Sequence, residues 1–222
     1  MDLIIRILIY VGLVYKYFRA SAKAQSIICR KPNVFASVIA PPGTGKSCLA
    51  ARIVAKNIYC GKKVYSTTPI RGAIKIDIKD LGIIDINNAV LLIDEAGTVL
   101  NNRNWAHNLT DKAVEFIKKH RHYNVDIYVF SQAPNDFDNK FRDLVTQTYL
   151  LNKSKIPFYV FAQAIKRVMK LEGGQIVDYL EEDKKESFRF FIPPTWAYFD
   201  SWEKRKDLKE SKDHMYTILD LK

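Results

Sequence analysis

A glycine-containing loop, APPGTGKS, occupies residues 40–47. It follows a run of apolar and β-branched residues at 34–39, VFASVI, which predicts a buried strand. Residues 46–57, KSCLAARIVAKN, have the composition and spacing of a helix, and Gly61 ends it. This order of strand, glycine loop, Gly-Lys-Ser and helix indicates a phosphate-binding loop, because a chance glycine-rich turn has no need of both flanking elements.

The residue types in this loop suit a nucleoside triphosphate. Gly43 and Gly45 let the backbone turn its N–H groups inward onto phosphate oxygens. Lys46 is expected to reach the β- and γ-phosphates, Ser47 to offer its hydroxyl to Mg²⁺, and the helix N-terminus to add a favourable dipole. The sequence therefore predicts that ATP and Mg²⁺ bind at a loop formed by Pro41, Pro42, Gly43, Thr44, Gly45, Lys46, Ser47 and Cys48.

Two positions of the loop need separate interpretation. The usual pattern begins with glycine, whereas this chain has Ala40, which is tolerated if its φ stays negative. Cys48 is expected to be a small packing residue and not a nucleophile. With Cys29 and Cys60 it makes an odd number of cysteines without a CxxC pair, which favours reduced thiols over a disulfide framework.

An aliphatic segment at 89–96, AVLLIDEA, ends in two carboxylates. This pattern predicts a central parallel strand whose carboxyl end carries the chemistry. Asp94 is expected to hold the Mg²⁺ shell, and Glu95 to orient and polarise the attacking water. The acidic pair favours hydrolysis over transfer to a bound acceptor.

A third apolar strand is predicted at 125–130, VDIYVF, and Ser131 and Gln132 follow it. A polar residue at the end of a strand beside the acidic strand is placed to sense a γ-phosphate. Gln132 is therefore the predicted sensor. The alternative is an ordinary polar residue at a strand end, where loops are generally polar.

The order of these segments resembles the Zot-type family of P-loop ATPases over about residues 33–200. That family contains the N-terminal domain of zonula occludens toxin and the assembly ATPases of filamentous phages, within the FtsK/HerA class of DNA-packaging ATPases. The segments that carry the resemblance are APPGTGKS at 40–47, VYSTTP at 64–69, LLIDEAG at 91–97 and IKKHRHYNVDIYVFSQAP at 117–134.

The resemblance implies an α/β P-loop NTPase (RecA/ASCE-like) fold, with a mainly parallel sheet flanked by helices. It implies the roles given above: Lys46 and Ser47 on phosphate and Mg²⁺, Asp94 and Glu95 as the acidic pair, and Gln132 as the sensor. One departure is the residue after the second strand, often asparagine in the family and here part of Ser66-Thr67-Thr68. The implied function is an ATP-hydrolysing motor that couples hydrolysis to DNA translocation in phage or virus assembly, extrusion or genome packaging.

Ring ATPases complete each site with an arginine from a neighbouring subunit, so a homo-oligomeric ring, expected to be a hexamer, needs such a residue. Arg142 is the preferred candidate and Arg121 the second, and an ordinary exposed charge is the alternative for each. Residues 118–122, KKHRH, form a basic cluster at a predicted helix C-terminus. They either stabilise the helix dipole or face DNA phosphates.

Composition points to an anionic partner. The 222 residues carry a net charge of +11 and 48% are hydrophobic, which is ample for a core and excludes wholesale disorder. The excess of positive charge favours nucleic acid or an acidic membrane surface, with a basic protein lacking such a partner as the alternative.

The first twenty residues form a separate apolar segment, with an uninterrupted run at 7–15 between Arg6 and Lys16. As a helix it spans about 20 Å, short of the roughly 30 Å hydrocarbon core of a bilayer. A membrane anchor or interfacial helix, a helix packed on the protein and a cleaved signal remain open, in that order. The predicted organisation is this helix at 1–20, an ATPase domain at 31–203 and a charged tail at 204–222, at the cytoplasmic face of a membrane or associated with a virion.

The last third of the domain is predicted to be an antiparallel extension of the sheet. Segments 147–153 and 158–165 alternate as strands do, residues 166–180 contain a hairpin around Gly173 and Gly174, and 187–192 adds another strand. The aromatic residues there are expected to pack and not to stack on bases. They are Tyr159, Phe161, Trp196, Tyr198, Phe199 and Trp202.

Overall fold

The computed structural model describes residues 7, 11–12, 15, 33–94, 111–133, 143–172 and 175–198. In chain order its strands and helices are β1 Phe35–Ile39, α1 Lys46–Tyr59, β2 Lys63–Ser66, β3 Ile74–Lys75, β4 Ala89–Ile93, α2 Asp111–Lys118, β5 Val125–Ser131, β6 Gln147–Lys153, β7 Tyr159–Glu172, β8 Gln175–Glu182 and β9 Phe188–Phe191. Short 3₁₀ helices span Ile78–Asp80 and Pro193–Tyr198.

All nine of these strands form one sheet in the order β3-β2-β4-β5-β1-β6-β7-β8, with β9 also paired to β7. The pairs from β3 to β6 are parallel, and β7 pairs antiparallel with β6, β8 and β9. The strand β5 lies between β1 and β4, as the sensor prediction requires. The predicted fold class, a mainly parallel α/β sheet with helices and a C-terminal antiparallel extension, is confirmed.

The boundary of the antiparallel extension differs from the prediction. Segment 147–153 was expected to belong to the extension, but β6 runs parallel to β1, and antiparallel pairing begins only with β7. The alternation of buried and partly exposed residues in β6 reflects burial on one face and carries no information on strand direction. The predicted hairpin at 166–180 is confirmed by the pairing of β7 with β8.

The sheet has an apolar core on each face, because the helices cover both sides. Side chains from α1 pack against alternate residues of β1, β5 and β6, whereas α2 packs against the opposite residues of β1, β4 and β5. Strand β4 is buried along its whole length, as its uninterrupted aliphatic run predicts. The two helix layers fix the sheet, and therefore the loops that leave its ends.

A partly buried ion pair lies at the edge where the parallel strands begin. The Oδ2 atom of Asp126 lies 3.0 Å from Nζ of Lys62, and its Oδ1 accepts a hydrogen bond of 3.0 Å from the backbone N–H of Val34. The Asp126 side chain is only 9% exposed. This pair joins β5 to the segment before β1 and to the turn before β2.

Parts of the predicted organisation lie outside the described residues, including most of 1–20 and all of 204–222. Within the first segment, Ile7, Val11, Gly12 and Tyr15 are helical, and Ile7, Val11 and Tyr15 are exposed. Among the helices that the structure describes, none is both long and apolar enough to cross a membrane.

Candidate functional site

Four loops meet at the carboxyl edge of the parallel strands. The phosphate loop leaves β1, Thr67 follows β2, Asp94 follows β4, and Gln132 follows β5. Because these strands are parallel and neighbouring, their carboxyl ends open on the same side of the sheet. The structure thus brings together the predicted loop, Asp94 and Gln132, which lie far apart in sequence.

The loop has the backbone geometry that its glycines predict. Gly43 and Gly45 have φ values of +71° and +102°, in the left-handed region that favours glycine. Thr44 closes the turn, since its N–H and its hydroxyl both donate to the carbonyl of Pro41, at 3.2 and 2.6 Å. Ala40 keeps a negative φ and donates its N–H to the Ser131 carbonyl, so alanine is tolerated where glycine is usual.

The antiparallel extension supports the loop from behind. A Cβ atom placed on Gly45 would come within 2.9 Å of Cγ2 of Val160 in β7, with Ile192 next nearest at 3.9 Å. Gly45 is therefore required twice, by its backbone conformation and by the close approach of β7. This second requirement has no signal in the local sequence.

The central contact of the site joins Lys46 to Asp94. Their Nζ and Oδ1 atoms lie 2.8 Å apart, and the side chains are 18% and 23% exposed. Two hydroxyl-bearing residues after β2 contact Asp94. Thr67 Oγ1 accepts a hydrogen bond from the Asp94 N–H at 2.9 Å, and Thr68 Oγ1 donates to Asp94 Oδ2 at 3.4 Å.

Thr67 and Thr68 are site residues that the sequence reasoning did not assign. They stand where the resemblance leads one to expect asparagine, and their hydroxyls provide polar contacts to the same acidic residue. Their position at the end of a parallel strand next to β4 was the available signal.

A pocket of about 460 Å³ opens beside the loop. The loop, the first residues of α1 and Gln132 line one part of it, and Ile192 and Trp196 line another. Trp196, which the sequence predicts to pack, is 56% exposed and lines this pocket. Strands β7 and β9 bring it there, and the local sequence around it carries no sign of the loop.

Cys48 lines the same pocket and is buried. Burial raises the pKa of its thiol, and the Thr195 hydroxyl beside it lowers the pKa by a smaller amount. A protonated thiol in contact with a hydroxyl suits the predicted packing role and does not favour a nucleophile.

Other predicted residues are not part of this cluster. Glu95 and Arg142 lie outside the described residues, so the structure places neither. Arg121 is exposed and precedes β5, while Gln132 follows it, so about 20 Å of strand separates the two. Arg121 therefore lies at the opposite edge of the sheet from the pocket of its own chain.

The basic cluster at 118–122 is divided by burial. His120 is buried, its Nδ1 lies 2.8 Å from the Ile117 carbonyl oxygen, and its ring packs edge-on against Phe35. It therefore cannot contact DNA, whereas the other four residues of the cluster are exposed. Lys119 forms a 2.6 Å ion pair with Glu115 one turn earlier.

Comparisons with known proteins bear on this arrangement. A family model described as Zonular occludens toxin (Zot) matches residues 71–166, a range that holds Asp94 and Gln132 but not the phosphate loop. A search of curated proteins gave no significant match.

Three solved structures illustrate the similarity. The N-terminal domain of zonular occludens toxin from Neisseria meningitidis is 18% identical over 70% of this chain and 97% of that chain, with a TM-score of 0.47. The genome packaging NTPase B204 from Sulfolobus turreted icosahedral virus 2, in complex with sulfate, is 10% identical over 67% and 96%, with a TM-score of 0.45. The flagellar accessory protein FlaH from Methanocaldococcus jannaschii is 11% identical over 68% and 91%, with a TM-score of 0.39.

The family match covers less than half of the chain, and it includes two of the four segments that carried the resemblance in the sequence, 91–97 and 117–134. The resemblance is therefore confirmed. Together with the loop and strand order described above, it fits a Zot-type P-loop ATPase.

Proposed function

We propose that this chain is a Mg²⁺-dependent ATPase that couples ATP hydrolysis to DNA translocation during phage or virus assembly, extrusion or packaging. The coarser part of the proposal, an ATPase with a role in such assembly, draws on the Zot family match. The finer part, movement of DNA by a homo-oligomeric ring, draws on the resemblance and on the positive charge.

The observation that carries the ATPase proposal is the ion pair between Lys46 and Asp94 at 2.8 Å. A lysine in a phosphate loop and an acidic residue two strands away come into contact only if both face the same small space. Lys46 can exchange this carboxylate for phosphate oxygens, since an ammonium on a flexible stem binds either anion. Asp94 would then be able to act on the metal shell.

The donor set fits Mg²⁺. This ion prefers oxygen ligands and is usually held by one or two carboxylates, with the substrate phosphates and water completing its shell. Ser47 lines the pocket and offers a hydroxyl, and Asp94 offers a carboxylate beside the pocket-lining Lys46. Thr68 donates a hydrogen bond to that carboxylate, and Thr67 accepts one from the Asp94 backbone N–H. Mg²⁺ would supply charge neutralisation on the β- and γ-phosphates.

The remaining roles concern the transferred phosphate and the water. Gln132 lines the pocket at the end of β5, and it is proposed to contact the γ-phosphate. Glu95 directly follows Asp94 in sequence and is proposed to orient the attacking water. An arginine from a neighbouring subunit, Arg142 or Arg121, would stabilise the transition state.

Positive charge supports an anionic polymer as the substrate that is moved. The whole chain has a net charge of +11, and Lys118, Arg121 and His122 are exposed at the end of α2. Contacts of such cations with phosphates give a binding constant that falls steeply with salt concentration.

A second candidate is a membrane-associated assembly or export ATPase that does not grip DNA. The observation that favours it is the apolar run at 7–15, in which Ile7, Val11 and Tyr15 are helical and exposed. Exposed apolar side chains on a helix suit a bilayer surface or a membrane partner.

ATP turnover by the full chain, with no polymer, with single-stranded DNA and with double-stranded DNA, tests the proposal. We expect stimulation by one form of DNA that disappears at high salt and in Lys46→Ala. Glu95→Gln should retain ATP binding but lose turnover, which separates hydrolysis from binding.

Two outcomes would contradict the motor. Hydrolysis by a monomer that is indifferent to both forms of DNA would exclude translocation by a ring. Stimulation by vesicles of anionic lipid, without any response to DNA, would instead support the export candidate.

A further inference from the structure

The phosphate loop lines only one side of its pocket. On another side, Ile192 and Trp196 bring apolar surface to the same 460 Å³ space. An indole that is 56% exposed in a pocket of this size suits contact with a ligand, since ligand pockets are lined mainly by apolar and aromatic side chains. The ATPase chemistry proposed above makes no use of this side.

The segment that carries Trp196 is fixed to the rest of the site. The Thr195 hydroxyl and N–H both donate to the Ile192 carbonyl, at 2.5 and 2.9 Å, and the hydroxyl also lies beside the thiol of Cys48 in α1. The carbonyl of Tyr198 accepts a 2.8 Å hydrogen bond from the N–H of Arg71. The indole is therefore presented by a 3₁₀ helix that is held at both ends.

A second aromatic residue supports the indole from the side. The Phe158 ring lies edge-on to Trp196, with centroids 6.3 Å apart and planes at 74°. Phe158 has a φ of +62°, which is rare for a bulky residue, and its carbonyl accepts a 2.9 Å hydrogen bond from the N–H of Ile192. Backbone strain of this kind is retained where the surroundings hold it, often at ligand sites.

We propose that Trp196 stacks on the base of the nucleotide whose phosphates bind the loop, with Phe158 as a positioning residue that orients the indole. The proposal rests on the nucleotide binding proposed above and adds to it the contact that holds the base. An edge-on contact with Phe158 leaves an indole face available, and Ile192 offers apolar surface beside it.

The chemistry of stacking predicts how the base is recognised. Every base has a π-face, so a stacking contact holds adenine and guanine by similar interactions, whereas hydrogen bonds to the base edge separate them. Loss of the indole should therefore weaken the binding of ATP and GTP by similar factors. It should leave the binding of the phosphates to the loop unchanged.

Equilibrium binding of ATP, GTP and inorganic tripolyphosphate, each with Mg²⁺, to the full chain tests this inference. Wild type should bind both nucleotides more tightly than tripolyphosphate. Trp196→Ala should weaken both nucleotides by roughly 5- to 150-fold, the range expected for loss of one aromatic stack. Its affinity for tripolyphosphate should stay within about twofold, which also shows that the variant is folded.

Two further variants separate stacking from a structural role. Trp196→Phe keeps an aromatic face and should recover most of the lost nucleotide affinity. Phe158→Ala should weaken nucleotides less than Trp196→Ala and leave tripolyphosphate unchanged. Failure of Trp196→Phe to recover any affinity would contradict stacking.

The outcomes distinguish this proposal from the one on which it rests. If ATP binds to the wild type and Trp196→Ala changes nothing, or weakens tripolyphosphate equally, the base contact is wrong and nucleotide binding stands. If affinity is lost for only one of the two nucleotides, hydrogen bonding to the base edge replaces stacking. If neither ATP nor tripolyphosphate binds to the wild type, both proposals fail.

Discussion

Two lysine–aspartate pairs lie at opposite edges of the same sheet and have nearly the same length. Lys46 and Asp94 lie 2.8 Å apart at the carboxyl edge, and Lys62 and Asp126 lie 3.0 Å apart at the amino edge. Their surroundings differ. Asp126 is 9% exposed and also accepts a hydrogen bond from the N–H of Val34. Asp94 is 23% exposed, accepts a hydrogen bond from the Thr68 hydroxyl and pairs with a lysine that lines an open pocket. The lysines differ the other way, since Lys46 is 18% and Lys62 is 29% exposed.

The difference indicates that one ion pair stabilises the fold, whereas the other belongs to the proposed nucleotide site. A buried carboxylate that accepts a backbone hydrogen bond cannot release its partners without a large cost, because its charge would be left uncompensated. A carboxylate at the edge of a pocket can exchange its lysine for a metal ion or water at small cost. The amino-edge pair is therefore structural, and the carboxyl-edge pair is the one that we expect a nucleotide to separate.

The largest expected effect is on turnover. Lys46→Ala should lower ATP turnover by at least about 100-fold, because it removes a cation that stabilises charge on the transferred phosphate. Steady-state phosphate release measures this effect. Lys62→Ala is the matched control at the other edge and should keep turnover within about threefold of wild type, once its stability is allowed for. Equal losses of turnover in the two variants would contradict the division of roles.

The second effect is on stability, and here the amino-edge pair is expected to show the larger loss. Asp126→Ala should lower the free energy of unfolding by about 1.5–3 kcal/mol, because it leaves the Val34 N–H and the Lys62 ammonium without their carboxylate. Asp94→Ala should lower it by about 1 kcal/mol or less, since its carboxylate is more exposed to solvent screening than that of Asp126. Urea unfolding of the two variants makes the comparison, and a larger loss for Asp94→Ala would reverse our assignment.

The sequence predicted most of the carboxyl edge because the signals there are local. Each signal is a continuous stretch of about ten residues or fewer: the glycine loop, the aliphatic strand before Asp94 and the strand before Gln132. Parallel pairing then brings the ends of these stretches together. The fold class followed from the same segments. The direction of β6 did not, because alternating burial has the same pattern in either direction.

The other parts of the site were missed because they depend on contacts between distant segments. Nothing in the sequence near Trp196 indicates that β7 and β9 carry it to a loop some 150 residues earlier. The close approach of Val160 to Gly45 is equally non-local. His120 was grouped with its basic neighbours, although the turn after α2 places its ring against Phe35.

The third effect is on ATP affinity and compares two glycines of the loop that positions Lys46. Gly45→Ala should reduce ATP affinity more than Gly43→Ala, because both have positive φ but only Gly45 also meets Val160, at 2.9 Å. The steric part is expected to cost about 1–2 kcal/mol of binding or stability. The backbone conformation adds a similar cost to each variant.

A second-site change isolates the steric part. Val160→Ala combined with Gly45→Ala should recover affinity relative to Gly45→Ala alone, and the same change should not help Gly43→Ala. A double-mutant cycle on ATP affinity and on unfolding measures this coupling. No coupling between positions 45 and 160 would show that β7 does not support the loop as described.

The smallest effect concerns two thiols at opposite ends of α1, one near each ion pair. Cys48 is buried against the pocket and its pKa is raised, so it should react slowly with iodoacetamide at pH 8, whereas Cys60 is exposed and should react first. The raised pKa means that the thiolate of Cys48 forms only at higher pH in the folded protein than in the unfolded chain. Its labelling rate should therefore continue to rise above the ordinary pKa of a thiol, and the folded state should lose stability over that interval.

Added nucleotide then reports which end of the helix it reaches. ATP with Mg²⁺ should slow the labelling of Cys48 a few-fold further, because the thiol lines the pocket that the ligand fills, and should leave Cys60 unaffected. Mass spectrometry of the separate peptides follows each thiol. Protection of Cys60 alone would place the nucleotide at the amino edge, beside Lys62, and would contradict the assignment of the carboxyl-edge pair as the one that exchanges partners.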